Sequence, residues 1–305
     1  MDLVTLFYLV DEFCKSFEPE WNAHLVASGE AKRIKPCSLS MSEILTILIH
    51  FHQSNHRQFK YYYLDYVSKV LADSFPELVS YNRFVELMSD VNIPLCILLT
   101  NLLGRTGLAN YIDSTKLVVS HNRRIRRHKV FKGLAARGMS SMGWFFGFKL
   151  HLIVNDQGEL TSFLITPGNT ADNNIPIVTK LARRMMGKLF GDRGYISSDL
   201  FKALWAQGVH LVTGIRRNMK NRLLPMMDKI MLRGRSIIET INDQLKNTQQ
   251  IEHSRHRSPG NFLANLISGL IAYQLQPKKP ALHFTKGETD LMRVPVLLPA
   301  ATVVS

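Results

Sequence analysis

The stretch Ala109-Asn110-Tyr111-Ile112-Asp113-Ser114-Thr115-Lys116-Leu117-Val118-Val119-Ser120 organises the reading of this chain. Tyr111 and Ile112 read as a short apolar strand that ends at Asp113 and delivers its carboxylate into a turn. The 42 residues from Ser114 to Asn155 then hold nine Lys or Arg and no Asp or Glu. One acid beside a wholly basic run is the pattern of a metal-binding carboxylate working next to a polyanion.

Beyond this acid the pattern alternates between strands and helices. Trp144 to Val154 is a long strand candidate, Asn155-Asp156-Gln157-Gly158 a turn, and Leu160 to Thr166 the returning arm of a hairpin. Pro167 to Asp172 reads as a loop, and Pro176 sits near the first turn of a helix running to about Met186. Leu189-Phe190 is a second short strand, delivering Asp192 within Gly191-Asp192-Arg193-Gly194-Tyr195. A helix from Ser197 to Gln207 and a strand from Val209 to Thr213 follow, which makes a mixed sheet with flanking helices, an α/β domain. Parallel neighbours that both end in carboxylates bring two hard oxygen donors to one sheet edge, as Mg²⁺ or Mn²⁺ requires. Either acid taken singly reads equally as a turn aspartate capping the next helix.

The third acid is Glu239. Residues 233–246 read as an amphipathic helix with Ile238, Ile241 and Leu245 on one face, and Arg235 and Glu239 stacked at i, i+4. Spacing alone leaves Arg235 and Glu239 open to being a surface ion pair worth a few tenths of a kcal/mol.

Together these motifs resemble a bacterial insertion-sequence transposase of the DDE type, with a retroviral-integrase-like (ribonuclease H-like) core. The resemblance rests on Ile112-Asp113-Ser114-Thr115, on Gly191-Asp192-Arg193-Gly194-Tyr195, on the spacing of Arg235, Glu239 and Lys246, and on the strand–helix order. It covers about residues 109–275; where some members carry a Tyr three residues before the Arg, this chain has Leu232. The resemblance implies that Asp113, Asp192 and Glu239 are catalytic and bind two divalent ions, Mg²⁺ or Mn²⁺. It implies a reaction in which water first frees a 3′-hydroxyl at the element end and that hydroxyl then attacks target DNA. Arg235 and Lys246 would contact the DNA backbone, Arg as a planar bidentate donor and Lys as a point charge.

The charge balance agrees with a nucleic-acid partner. The 305 residues carry a formal net charge of +14 and a pI near 9.8, which concentrates anions at the surface. Arg123, Arg124, Arg126, Arg127, Lys129, Lys132 and Arg137 lie beside the first acid and are read as phosphate contacts. Arg216, Arg217, Lys220, Arg222, Lys229 and Arg233 form a second basic stretch ahead of Glu239. A basic, solvated surface without a nucleic-acid role is the alternative that charge alone permits.

Residues 1–105 read as helical throughout and as a separate DNA-binding or dimerisation domain, 106–276 as the catalytic domain, and 277–305 as a poorly ordered tail. Ser40-Met41-Ser42-Glu43 is a capping-box signature, and helices are expected over Ile44–Phe51, Phe59–Leu71, Tyr81–Met88 and Pro94–Leu103. His50, His52 and His56 lack further ligands at a fitting distance and are read as packing residues. Tyr61, Tyr62 and Tyr63 suit helix packing better than base stacking. Three widely spaced cysteines, the absence of a basic leader and an apolar run, Phe262 to Leu275, shorter than the roughly 20 residues that span a bilayer suggest a soluble cytoplasmic protein. The resulting expectation is a DNA transposase acting on terminal inverted repeats and target DNA as a homodimer, associated with the nucleoid. A metal-dependent nuclease of the same fold and a catalytically silent DNA-binding relic are the alternatives.

Overall fold

Capping and apolar periodicity account for the first hundred residues. In the computed structural model, which describes residues 1–29, 37–215, 224–252 and 256–282, Asp2 caps helix α1 (Leu3–Ala27) by accepting the Thr5 N–H at 2.9 Å. Leu6, Val10 and Cys14 form the buried stripe of α1 at i, i+4 spacing. Ser40 and Glu43 close the expected capping box at the start of α2 (Met41–Gln53). The helix expected over 59–71 is broken instead: α3 (Phe59–Tyr61) widens into a π turn at Tyr62–Val67. This turn buries Tyr62 and Tyr63 together, Tyr62 bonded to His50 and Tyr63 donating to the Val79 carbonyl at 2.7 Å. Helices α4 (Tyr81–Leu87) and α5 (Asn92–Leu102) complete the region.

The sheet has six strands: β1 (Asn110–Ser120), β2 (Ala136–Ser140), β3 (Gly143–Asn155), β4 (Leu160–Pro167), β5 (Gly187–Gly191) and β6 (Val209–Thr213). β3 lies antiparallel to β1 from Phe146 to Asn155, and β2 and β4 share its other edge. β5 runs parallel to β1, and β6 parallel to β5. The order β4–β3–β1–β5–β6, three antiparallel strands followed by two parallel ones, is that of a ribonuclease H-like core.

Two sequence expectations need correction here. β1 does not end at Asp113; it continues through Ser114, Thr115 and Lys116, because β3 supplies a hydrogen-bonding partner opposite each of them. The helix expected to reach Met186 is the shorter α6 (Ile175–Leu181), ended by a turn at Ala182. Strand β2 and helix α8 (Met226–Arg233) are additional elements.

Helices cover both faces of the sheet. Ile112, Ile153 and Leu189 pack against Val178 and Leu181 of α6 and Leu200 and Leu204 of α7 (Ser198–Trp205). The other face meets α9 (Ser236–Asn247) and α10 (Pro259–Gln274). Ile237, Ile238, Ile241 and Leu245 anchor α9, each burial worth about 1.5–3 kcal/mol. α10 is buried almost end to end between α9 and the pair α2 and α5, so one continuous apolar cluster runs from Leu6 to Tyr273. Gln274 joins the layers, donating to the Leu102 carbonyl at 2.8 Å and accepting the Leu160 N–H at 3.0 Å. Within the segment read as tail, Leu282 donates its N–H to the Asp156 carbonyl at 3.0 Å. Among the described residues no single helix is long and apolar enough to cross a membrane.

Candidate active site

The site arises where two parallel strands part. β1 and β5 pair only at Asn110–Leu189 and Tyr111–Phe190. Past these pairs β5 stops at Gly191, and the chain enters a 3-10 turn, Arg193–Tyr195, whose first N–H groups Asp192 caps by accepting the Gly194 N–H at 2.8 Å. Asp113, two residues beyond the last β1–β5 pair, therefore faces Asp192 across a cavity of about 410 Å³. Asp172, Lys149, Tyr195 and Lys246 share its wall.

Asp113 is half-buried at the floor of this arrangement's β1 side. Its Oδ2 accepts a hydrogen bond from Asn242 Nδ2 of α9 at 3.0 Å. Burial pushes its carboxyl up to about 6; the Ser114 backbone N–H and Arg235 oppose the rise, and Asp192 and Asp172 add to it. Burial likewise holds the Tyr195 phenol well above its ordinary range, with the three aspartates reinforcing the effect.

Asp172 was missed in the sequence. The loop after β4 carries it back over the sheet, where it accepts from the Ser114 hydroxyl and pairs with Lys149 Nζ at 2.8 Å. Its sequence neighbourhood, a loop that follows Pro167-Gly168, gives no local sign of these partners. Asn242 was also missed, although it lies three residues after Glu239 on the same helix.

Glu239 stands apart from the two aspartates. It ion-pairs with Arg235, leaves 55% of its side chain exposed, and does not line the cavity. Helical spacing nevertheless puts Arg235, Glu239, Asn242 and Lys246 on one stripe of α9, and Asn242 and Lys246 reach the site. Lys246 is held by Glu252 at 3.2 Å, and Glu252 also accepts the Val118 N–H at 2.8 Å. Among the described residues, no three His, Cys, Asp or Glu side chains converge as a metal-binding group. That includes His50, His52 and His56, whose ring nitrogens bond Tyr62, the Gln249 carbonyl and Ser54.

The basic run leads into β2, whose Met139 and Ser140 line the cavity. Arg123, Arg124, Arg126 and Arg127 sit on a 3-10 helix, Asn122–Arg127, and with Lys129, Lys132 and Arg137 they are exposed and free of ion pairs among the described residues. The helix is tied to β3 by Asn122, which donates to the Trp144 carbonyl at 2.6 Å, and the Arg137 guanidinium lies 4.7 Å over the Trp144 ring. Of the second basic stretch, Lys229 and Arg233 are exposed on α8, and Arg216, Arg217, Lys220 and Arg222 lie outside the described residues.

Comparison with known proteins adds the family. No curated protein sequence matches the chain. Among solved structures it is similar to a piggyBac transposase synaptic complex with hairpin DNA, at 14% identity over 98% of this chain and 86% of that one, with a TM-score of 0.43. A simian T-cell lymphotropic virus intasome in complex with PP2A regulatory subunit B56 gamma matches 67% of this chain and 64% of its own, at 14% identity and a TM-score of 0.24. The family model described as "Transposase DDE domain" matches residues 103–259, more than half of the chain and the whole of the sheet that carries Asp113 and Asp192, and the chain belongs to that family.

Proposed function

We propose that this protein nicks the ends of a mobile DNA element by phosphodiester hydrolysis and joins the freed 3′-hydroxyls to target DNA. The observation that carries this reading is the pair Asp113 and Asp192 on one cavity, in a chain whose seven Arg and Lys side chains between Arg123 and Arg137 are exposed. The donor set fits a divalent cation: both aspartates offer hard oxygens, and Asp113 is a half-buried carboxyl whose ionisation is opposed by desolvation first and by two neighbouring acids. Asp113 and Asp192 would hold Mg²⁺ or Mn²⁺, two ions in the loaded site, with Glu239 completing the set once it leaves Arg235. Such ions supply Lewis-acid activation of the attacking oxygen and stabilisation of the leaving one.

The chain's own residues do the rest. Asn242 fixes one oxygen of Asp113. Arg235 and Lys246, each now neutralised by a glutamate, would exchange these partners for backbone phosphates. The 123–137 run would hold the duplex through its phosphates. Joining two ends requires two active sites or two binding surfaces, so the working form is a homodimer on DNA, with residues 1–105 contributing end binding or dimer contacts. The protein would act on DNA in the cytoplasm, at the nucleoid.

The test is a labelled duplex bearing the element's terminal repeat, incubated with protein with and without Mg²⁺ or Mn²⁺. Wild type is expected to nick at the repeat end and join it to target, and Asp192→Ala to do neither. Nicking without joining would make the protein a nuclease, and binding without any metal-dependent product would make it a silent DNA-binding protein. A second prediction concerns the basic run. Changing Arg123, Arg124, Arg126 and Arg127 to Gln should flatten the slope of log affinity against log salt by about 0.9 for each phosphate that the variant no longer neutralises. An unchanged slope in filter binding would remove the run from the interface.

A further inference from the structure

The hairpin of β2 and β3 exposes large apolar side chains that its own packing does not use. Its inner face is closed, with Gly138 and Phe145 paired across the strands and both buried. Met139 and Trp144 stand on the opposite face, 61% and 53% exposed, and Met142 stands at the turn, 84% exposed. Met142 is the most exposed large apolar side chain among the described residues. Met139 and Trp144 are direct cross-strand partners, which puts their side chains next to each other. Single exposed apolar side chains need no explanation, whereas a group of them drawn together marks a surface that meets a partner.

The surroundings of this group say what the partner carries. Arg137, two residues before Met139 on β2, holds its guanidinium 4.7 Å over the Trp144 ring. Asn122 donates to the Trp144 carbonyl at 2.6 Å, which fastens the 3-10 helix of Arg123, Arg124, Arg126 and Arg127 to the same strand. No Asp or Glu occurs from Ser114 to Asn155 to neutralise these cations from within the run. Apolar side chains set among such cations suit a polyanion that also has flat apolar faces. Nucleic acid has both, phosphates for the arginines and bases for the tryptophan and methionines. In a duplex the base faces are stacked on one another and closed to protein, so the hairpin fits bases that have left the stack.

We propose that the β2–β3 hairpin is a stacking site for unpaired DNA bases, with Trp144 and Met142 as its contact residues. This rests on the DNA reading given above and adds to it that the strand is opened beside the acids. Met139 and Met142 line the cavity of Asp113 and Asp192, so a strand with a base on the hairpin runs past both carboxylates. Stacking of this kind tolerates any sequence, because every base has a π face, and losing one stacking side chain weakens single-strand binding by about tenfold.

The experiment measures binding of full-length wild type, Trp144→Ala and Met142→Ser to two labelled probes by fluorescence anisotropy in EDTA. The probes are a 24-nucleotide oligo(dT) and a blunt 24-base-pair duplex. Each variant is expected to bind oligo(dT) about tenfold more weakly and the duplex within about twofold of wild type. Its salt dependence should be unchanged on both probes, since no charge has been removed. Equal losses on the two probes, or no loss on either, would overturn the proposal. Should Trp144→Ala fail to fold, Met142→Ser decides, because its side chain is the most exposed of the group. Wild type that binds neither probe would overturn the DNA reading and this proposal with it. Binding to phosphatidylserine vesicles that falls in Met142→Ser, with both DNA affinities unchanged, would make the hairpin a membrane-facing surface and overturn the base assignment alone.

Discussion

Asp113→Asn should lose strand cleavage by a factor on the order of 10³ and yet make the protein without added cation more stable at neutral pH. The loss follows because an amide is a poor ligand for a hard divalent ion and carries no charge to balance it. The gain follows from the position of the carboxylate. Folding raises the Asp113 pKa from 3.8 to about 6, chiefly by burial. The folded protein therefore holds this proton where the unfolded chain has released it. The contribution of Asp113 to stability is fully present below pH 4, declines as pH rises toward 6, and stays low above it. A shift of about two units corresponds to about 3 kcal/mol at most. An asparagine keeps an oxygen to accept from Asn242 and removes the charge. Melting temperatures measured from pH 4 to 8 should show the two proteins converging at low pH and the variant several degrees higher at pH 8. Mg²⁺ should raise wild type and leave the variant unchanged. A variant less stable than wild type at pH 8 would contradict the burial argument.

The acids were visible in the sequence because each follows, within a residue or two, the short apolar pairs Tyr111-Ile112 and Leu189-Phe190. Parallel pairing of these two segments at the centre of the sheet is what brings Asp113 and Asp192 together. Asn155-Asp156-Gln157-Gly158 marked the β3–β4 hairpin for an equally local reason, a turn in which Gly158 takes φ +74. What the sequence concealed depends on partners distant along the chain. Ser114-Thr115-Lys116 is too polar to read as strand, and only the register with β3 makes it one. β2, with one buried residue in five, has no apolar alternation and forms because the first half of β3 offers it an edge. Asp172 carries no local sign that it will meet Ser114 and Lys149, since the approach is set by the return of the chain over β3. Glu239 was visible as one of three motif acids, but its motif could not reveal that the side chain pairs with Arg235 while Asn242 bonds Asp113.

Gly147→Ala should be among the most damaging single substitutions outside the acids, costing about 3 kcal/mol or more. Gly147 lies opposite Val118, next to the irregularity between Val118 and Ser120 in the β1–β3 register. A Cβ there would stand 1.9 Å from the Leu117 carbonyl oxygen and 3.2 Å from Val118 Cα. These are backbone atoms, so no side-chain rotation relieves the overlap. The Gly147 carbonyl also accepts the Gly168 N–H at 2.9 Å, which ties down the loop that carries Asp172. Moving the strand would therefore disturb both β1, which holds Asp113, and this loop. Gly143, four residues earlier on the same strand, is the informative control. It takes φ +101 but meets nothing within 4 Å of a built Cβ, so Gly143→Ala carries only backbone strain of about 1 kcal/mol. Urea unfolding should show a large fall in midpoint for Gly147→Ala and a small one for Gly143→Ala. DNA cleavage per folded molecule should fall only in the former. Equal midpoints for the two variants would mean that β1 and β3 have room to part at Val118, and the close approach of the strands would then not be what holds Asp113 in place.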